Sequence, residues 1–574
     1  MVNTPLNHVL HIPTILEQIL AHFTTDWSDE PFLCVTPQVA AERTNRARAQ
    51  RRILTGLVCV CKSFMRPALD LLWQNLDEGL VRLLRVLPSF KKIGSHYIAE
   101  DISPEQWSRF QEYAKRVRRL KYPVSAKSSI HRMTWAMLER QTGGQPLLPR
   151  LHTLVVAGVD VDEPAALMLL LSPSVRSLRT TFSSLTTMAH LRRSKPWSEA
   201  TGVLIQLIVA AAPALSSVWI ENGLPKDLPS RYLTPFARLG QLQTLDLVYS
   251  GAVVDYKTLQ HISHMTALRV LCLQISLDGI APSDPLQLGG AFNGLEEVQF
   301  NGSADDIHRV FETTLFPNVT GLTLCILTVP TAEALKDLLV AVCGRISRSM
   351  SETYLTIGAP MNSPPVSLAD ILQSYLAFRE MRILQIEFND YAPSMDDHDS
   401  LVFASAWPNL ESFHFDCPTS QARRRIEHPS YPTIAGVTEF ARRCPRLAIL
   451  TLPHLDVRTL PSPRSVPQIG QESLRHLQIE QYHGGETANL LDLATILDTL
   501  FPRLGRQRSV TIRESVTGGL FRTEKDRLPF YMTNLLLAAI SARRDLADGT
   551  EPVDDGSVTL AEHENEGEGS AQVR

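Results

Sequence analysis

Residues able to make or break a bond are scattered along this chain of 574 residues. The densest run is Asp396-Asp397-His398-Asp399, whose side chains are all metal-capable. Four adjacent residues cannot all turn to one ion without a special loop, so the run reads as a solvated loop tip. No glycine loop with a following lysine is present for phosphate, and no Gly-x-Ser-x-Gly elbow for a nucleophile. A His-Glu-x-x-His helix and a dinucleotide fingerprint are missing too. Eight cysteines fall at 34, 59, 61, 272, 325, 343, 417 and 444. None forms a Cys-x-x-Cys pair, and Cys59-x-Cys61 lies in an apolar helical pattern. Zinc and disulfide frameworks are therefore both unsupported, and a reduced compartment fits best. Asn301-Gly-Ser303 and Asn318-Val-Thr320 match a glycosylation acceptor, which an intracellular chain would leave unmodified. The expectation is a chain without catalysis, cofactor or metal.

Function must then lie in binding surfaces and in the elements that hold them. Residues 8–23 (HVLHIPTILEQILAHF) place Ile12, Ile15, Leu16, Ile19, Leu20 and Phe23 on one stripe of a helix. Residues 52–76 repeat that spacing at Leu54, Leu57, Val58 and Cys61. Pro67 follows, and because proline suits only the first turn, a third helix is expected to begin there with Leu69, Leu72 and Trp73. Three short helices this apolar cannot bury everything among themselves, so part of their surface should meet another protein.

The order Ile-Pro-x-Ile-Leu-x-x-Ile (12–19), Leu-Val-Cys-Val-Cys-Lys-Ser-Phe (57–64) and Ala-Leu-Asp-Leu-Leu-Trp (68–73) resembles an F-box. It is most similar to the variant in F-box proteins of mushroom-forming fungi. The resemblance implies a three-helix unit that docks on a Skp-type adaptor and through it reaches a cullin ubiquitin ligase. It assigns adaptor contact to Pro13, Ile15, Leu16, Ile19, Leu57, Val58, Phe64, Leu72 and Trp73. One departure is an insertion at 24–50 between the first and second helices. It holds most of a basic run (Arg43, Arg46, Arg48, Arg51, Arg52) that reads as a solvated helix face.

Composition sets the outer limits. With 44% hydrophobic and 20% charged residues, the chain is expected to be soluble and globular. Its net charge of −4 hides an acidic end. Residues 545–574 hold nine acidic side chains against one arginine, which leaves the rest at about +4. So mild an excess does not argue for nucleic acid. The beginning of the chain lacks the layout of a secretory signal, and the longest apolar run, near Val203–Leu215, is too short for a membrane. A cytoplasmic or nuclear location is expected.

Residues 103–122 (SPEQWSRFQEYAKRVRRLKY) read as one helix, with Ser103 as cap, Pro104 in the first turn and Gln106 completing a capping box. Trp107, Phe110, Ala114 and Val117 would form its apolar face, and Arg116, Arg118, Arg119 and Lys121 would sit at its C-terminus. This helix resembles the linker between F-box and repeats in the same fungal family.

From residue 148 an apolar residue recurs with others three and five positions later. Clear copies begin at Leu151, Leu215, Leu242, Leu268, Leu295, Val319, Met381, Leu410, Leu447 and Leu474, and weaker ones at Val175-x-x-Leu178, Leu355-x-Ile357 and Val510-x-Ile512. Residues two apart in a strand share a face, so the second and third apolar positions should point inward while the first wedges beneath. Segments such as 256–265, 304–316, 331–346 and 488–501 carry helical spacing between strands. Starts lie 24–27 residues apart over 242–319, the length of a strand plus a helix. This resembles an irregular leucine-rich-repeat array without an asparagine ladder. Separate α/β domains are the competing arrangement.

The fold expected is α/β: a three-helix F-box followed by a solenoid with parallel strands on the concave side and helices outside. Its divisions are 1–80, a helical linker at 81–147, the array at 148–515, a capping helix at 516–544 and a disordered acidic tail at 545–574. Segments 389–400 and 462–473 read as mobile loops. The outward positions Val155, Asp246, Gln274, Gln385, His414 and Gln478 would face a partner. The function expected is a substrate receptor whose array holds an unidentified protein for ubiquitin transfer. The alternative is a scaffold whose three-helix unit no longer binds the adaptor. No contact with nucleic acid or membrane is expected.

Overall fold

A computed structural model describes residues 37–504 apart from 78, 95, 100, 124–128, 163, 183–194, 282–283, 289–291, 359–363, 365, 418–429 and 485–489. The first predicted helix with Pro13, Ile15, Leu16 and Ile19, the weak copy at Val510, the capping helix and the acidic tail lie outside the described residues. The chain divides into two compact units, residues 1–393 and 394–574.

In the first unit, parallel strands follow one another in sequence order. They are β1 (Asn75–Leu76), β4 (Arg119–Pro123), β6 (Thr153–Val159), β7 (Ser177–Phe182), β8 (Ser217–Asn222), β9 (Thr244–Asp246), β10 (Val270–Gln274), β11 (Glu297–Ser303), β12 (Gly321–Thr328), β13 (Glu352–Ile357) and β14 (Ile383–Phe388). Each pairs only with the strands before and after it. A small second sheet joins β2 (Phe90–Ile93), β3 (His96–Ala99) and β5 (Ser129–Ile130). In the second unit β15 (Ser412–Asp416), β16 (Ile449–Asp456) and β17 (His476–His483) pair in parallel. One strand per repeat in an unbroken parallel order is the α/β leucine-rich-repeat fold, and it excludes separate α/β domains for the repeats of the first unit.

The apolar spacing dictates the register. Leu120, Leu154, Leu178, Val218, Leu245, Leu271, Val298, Leu322, Thr353 and Leu384 stand opposite one another through β4–β14. All are buried, as are the wedge residues from Leu151 to Met381. Removing one such leucine from water is worth roughly 1.5–3 kcal/mol, so a slip that turned every strand over would be prohibitive. Just before each strand a carbonyl ladder replaces the side-chain ladder of more regular repeats. The Arg118 carbonyl accepts from the N–H groups of His152 and Thr153, His152 from Arg176 and Ser177, and Arg176 from Ser216 and Ser217. The same step recurs through Gln243, Arg269, Glu296, Thr320 and Ser351. Backbone groups that a loop would leave unpaired are thus satisfied at every rung.

Helices form where the spacing predicts them, at Tyr256–Ser263, Ala304–Thr313, Ala332–Arg345 and Leu490–Leu500. Asp255, Ser303 and Thr331 cap the first three by accepting from a first-turn N–H.

Several expectations are corrected. The helix read over 103–122 stops at Ala114, and Arg119 and Lys121 lie in β4. Ser103 caps it, but the Gln106 side-chain oxygen makes no return bond. The segment thus contains a further repeat, Val117-x-x-Leu120-x-Tyr122, all buried. The sheet therefore starts at β1, well before residue 148, and the linker is not purely helical. Among its described residues, the start of the expected helical linker holds the short helix Val81–Leu84 and then runs into β2. Pro67 does not start a helix. It sits inside Lys62–Gln74, where the cost is one missing N–H bond.

Asp396-Asp397-His398-Asp399 is not a loop tip. Asp396 caps the helix Asp397–Ala406 in a reciprocal capping box with Asp399, and Asp397 accepts from the N–H groups of Thr433 and Gly436 and the Thr433 hydroxyl. Segment 462–473 is pinned by buried Gln471, which donates to the Cys444 and Leu447 carbonyls and accepts from the Leu474 N–H.

Candidate partner-binding surfaces

The first candidate surface is built by two helices. Pro37–Val58 runs without a break through the boundary expected at residue 50, and a turn at Cys59 and Val60 leads into Lys62–Gln74. Arg46, Arg48 and Arg52 are exposed on the first helix, as expected of a solvated face, while Arg51 pairs with Asp77 at 3.1 Å. Leu54 on the first of these helices and Ala68 on the second are buried. Among the residues assigned to adaptor contact, Leu57, Val58, Phe64, Leu72 and Trp73 are half-buried. Trp73 packs within the chain itself, 5.0 Å from the Tyr113 ring and beneath the Arg82 guanidinium.

The side chains left most open are others: Ile53 is 47% exposed, Val60 65% and Met65 42%. Sequence reasoning passed over them because it followed the buried side of the stripe. The i, i+4, i+7 set Ile53, Leu57, Val60 was the available signal. Cys59 and Cys61, expected inside the helix, are exposed at the turn and are not joined.

The second candidate is the open face of the first unit's sheet. Alternate residues of each strand point away from the core, and the positions between the two inward residues form a row. That row runs Lys121, Val155, Arg179, Trp219, Asp246, Cys272, Gln299, Thr323, Tyr354 and Gln385. The outward predictions at Asp246, Gln274 and Gln385 hold, with all three half-buried, whereas Val155 is buried. In the second unit His414 and Gln478 occupy the matching positions and are also half-buried.

Charge is divided along this face. On the early strands stand Arg119, Lys121 and Arg179, and on the rungs just before them Arg118, His152 and Arg176. On the later strands stand Asp246, Glu297, Glu352 and Glu387, with Arg269 and Arg382 on the rungs before their strands. Ionisation registers the division. The imidazole of His152 is held below its ordinary value by burial and by Arg118, Arg176 and Arg119. Glu297 is pushed up by burial and by Glu352 and Glu296, and Tyr354 by burial with Glu352 and Glu297.

At the boundary Arg179 lies 2.8 Å from Glu221, with both side chains about nine-tenths buried. The Arg179 guanidinium also rests 4.9 Å from the Trp219 ring centroid. Desolvation lifts Asp246 to about 6, against the bond from the Val248 N–H and the pull of Arg179. A desolvated pair on an otherwise open face costs free energy that water would have supplied, so it fixes geometry more than it stabilises.

The second unit carries a separate aromatic cluster. Tyr431 stacks on His483 with centroids 3.8 Å apart, and His483 Nε2 lies 3.0 Å from His454 Nδ1. The three come from distant positions that no short spacing links. Among the described residues no group of three or more His, Cys, Asp or Glu side chains could hold a metal, and no helix is long and apolar enough to cross a membrane.

No family model and no curated protein sequence matches the chain. Among solved structures, the complex of Rad7 and Elc1 in yeast is similar at 14% identity and a TM-score of 0.29, covering 69% of this chain and 98% of that one. The plant peptide hormone receptor RGFR1 in complex with RGF2 is similar at 12% identity and a TM-score of 0.26, covering 65% and 60%. The ectodomain of the receptor kinase GASSHO1/SCHENGEN3 from Arabidopsis thaliana has a TM-score of 0.20 at 12% identity, covering 68% and 58%. Scores at this level add nothing to the register itself, which is what makes the chain a leucine-rich-repeat protein in fold.

Proposed function

We propose that the chain is the substrate-recognition subunit of a Skp–cullin–F-box ubiquitin ligase. In this reading the N-terminal helices dock on a Skp-type adaptor, and the open face of the repeat sheet holds a protein target. The observation that carries it is the exposed apolar surface at Ile53, Val60 and Met65, beside the half-buried Leu57, Val58 and Phe64 that the F-box resemblance assigns to adaptor contact. Surface of this kind marks a protein interface. The chain makes no bond itself. It raises the effective concentration of target beside the transfer machinery, in the cytoplasm or nucleus. A face spanning this many strands offers room for a standard interface of roughly 1,600 Å².

The test is retention of a Skp-type adaptor by the full chain, comparing wild type with Val60→Asp/Met65→Asp and with Leu16→Asp/Val58→Asp. Both double variants should lose the adaptor by at least about tenfold, while circular dichroism of the exposed pair stays unchanged. Undiminished retention by both would sink the reading. A scaffold without adaptor binding is the second reading, favoured by the continuity of Pro37–Val58 through residue 50. Wild type that retains no adaptor would decide for it.

A further inference from the structure

Three arginines and a histidine gather where the sheet begins, although 58 positions separate the first from the last in sequence. Arg118, His152 and Arg176 occupy the same place on consecutive rungs, because the N–H of each donates to the carbonyl of the one before. Neighbouring strands lie about 4.8 Å apart, so the three backbones fall within about 10 Å and their side chains can converge on one group. Arg119 adjoins Arg118 at the start of β4, and Arg150 lies two residues before His152. Arg150 and Arg176 are exposed, and Arg118, Arg119 and His152 are half-buried. None of the four arginines has an acidic side-chain partner among the described residues, whereas Arg179, three residues beyond Arg176, is matched by Glu221.

We propose that this corner where the edge of the sheet meets its open face, formed by Arg118, Arg119, His152 and Arg176 with Arg150 beside them, binds a carboxylate- or phosphate-bearing segment of the target protein. The inference deepens the receptor reading above and rests on it. Guanidinium groups suit the purpose because each presents a planar fork to an anion's two oxygens. His152, whose charged form is disfavoured by burial and then by its arginine neighbours, offers a hydrogen bond without adding to their mutual repulsion.

The rest of the face selects the occupant. Beyond Trp219 the strand positions turn acidic at Asp246, Glu297, Glu352 and Glu387. On the rungs, Arg269 is matched by Glu296, and Arg382 stands at the far strand. A long uniform polyanion laid along the strands would therefore be repelled there. A nucleic acid carries that uniform charge. A protein segment can be acidic at one end only and satisfy both halves.

The experiment is fluorescence anisotropy of the full chain with four labelled probes. These are a short glutamate-rich peptide, a phosphoserine peptide of equal net charge, an uncharged glycine–serine peptide and an oligothymidylate of similar length. At least one anionic peptide should bind, the uncharged one should not, and added salt should weaken binding. Arg118→Glu/Arg176→Glu should lower that affinity by at least about tenfold, the equivalent of one charge-assisted hydrogen bond. The control Arg475→Glu, exposed before β17 in the second unit, should leave it unchanged. Preference between the two peptides tells phosphate from carboxylate. Arg118→Gln/Arg176→Gln with an unaltered melting temperature excludes misfolding as the cause.

Failure of both anionic peptides to bind, binding indifferent to the double substitution, or arginine-dependent binding of oligothymidylate alone would each overturn the proposal. Adaptor retention by the same preparations separates the two claims. A retained adaptor with no anion binding removes only the corner's role, and a lost adaptor in wild type removes the receptor reading.

Discussion

The early and later strands of the first unit share one backbone register and one apolar interior, yet the outward positions of the strands are mainly basic at one end and mainly acidic at the other. Leu154 on β6 and Leu322 on β12 occupy the same column and are equally buried. Outward from them stand Arg179 and Lys121 at one end, and Glu297 and Glu352 at the other. The interior is held uniform by packing, since each wedge or inward side chain must fit beneath its neighbours. No such demand acts on the outward positions, so they are free to vary. What the contrast teaches is that the repeat is a support, and that whatever specificity the chain possesses must be written in the side chains the support leaves outside.

That contrast can be attacked first through its uniform half. Leu154→Ala and Leu322→Ala should each cost about 2–5 kcal/mol, measured by denaturant unfolding, because each leaves a cavity that the paired strands cannot close. A cost below about 1 kcal/mol at either end would mean that the strand concerned is outside the common register.

The junction between the two potentials gives a smaller effect and a sharper one. Asp246, lifted to about 6 from an ordinary 3.8, favours the folded state in its protonated form. Its contribution is therefore full below the unfolded value and is lost as pH rises through about 6. Asp246→Asn keeps an oxygen for the Val248 N–H. It should stabilise the protein by about 1–2 kcal/mol at pH 7.5 and by nothing near pH 4, read as melting temperature against pH. A benefit independent of pH would show that desolvation at this point of the face has been misjudged.

The smallest effect concerns the outer edge. Arg269 and Glu296 meet at 2.7 Å on adjacent rungs, but both are more than half exposed. Arg269→Ala should change stability by less than about 1 kcal/mol and lose even that at high salt. A larger loss would make the edge a structural element rather than a display.

Much of the array was legible because strand and helix impose different periods on the same residue types. Ten copies of the three-and-five spacing became strands in the expected positions, and the helices between them followed from their three-and-four spacing and from Asp255, Ser303 and Thr331. The misreadings have specific causes. Val117-x-x-Leu120-x-Tyr122 was hidden because Ser103-Pro104 opens a genuine helix and the arginines beyond Ala114 suit a helix C-terminus as well as a strand. Pairing of Leu120 with Leu154 settled it. In β13 the pattern was read two residues late, since Thr353 stands where an aliphatic residue was sought. Its hydroxyl is accommodated against the Met350 sulfur at 3.5 Å. The polar run at Asp396–Asp399 looked like a loop tip, but in the fold those side chains satisfy the free N–H groups of two helix starts.

By itself, then, the sequence determined which side chains go inside, because a local period of two or of three to four decides which of them share a face. It also determined that no familiar catalytic layout was present to explain the chain. Only the tertiary structure decided which outward residues become neighbours. Arg118, His152 and Arg176 are brought side by side across intervals of 34 and 24 residues, and those unequal intervals are loops and helices of irregular length. Lateral adjacency in a parallel sheet depends on where each returning segment re-enters the ladder, and backbone hydrogen bonds fix that point without regard to the side chains they bring together.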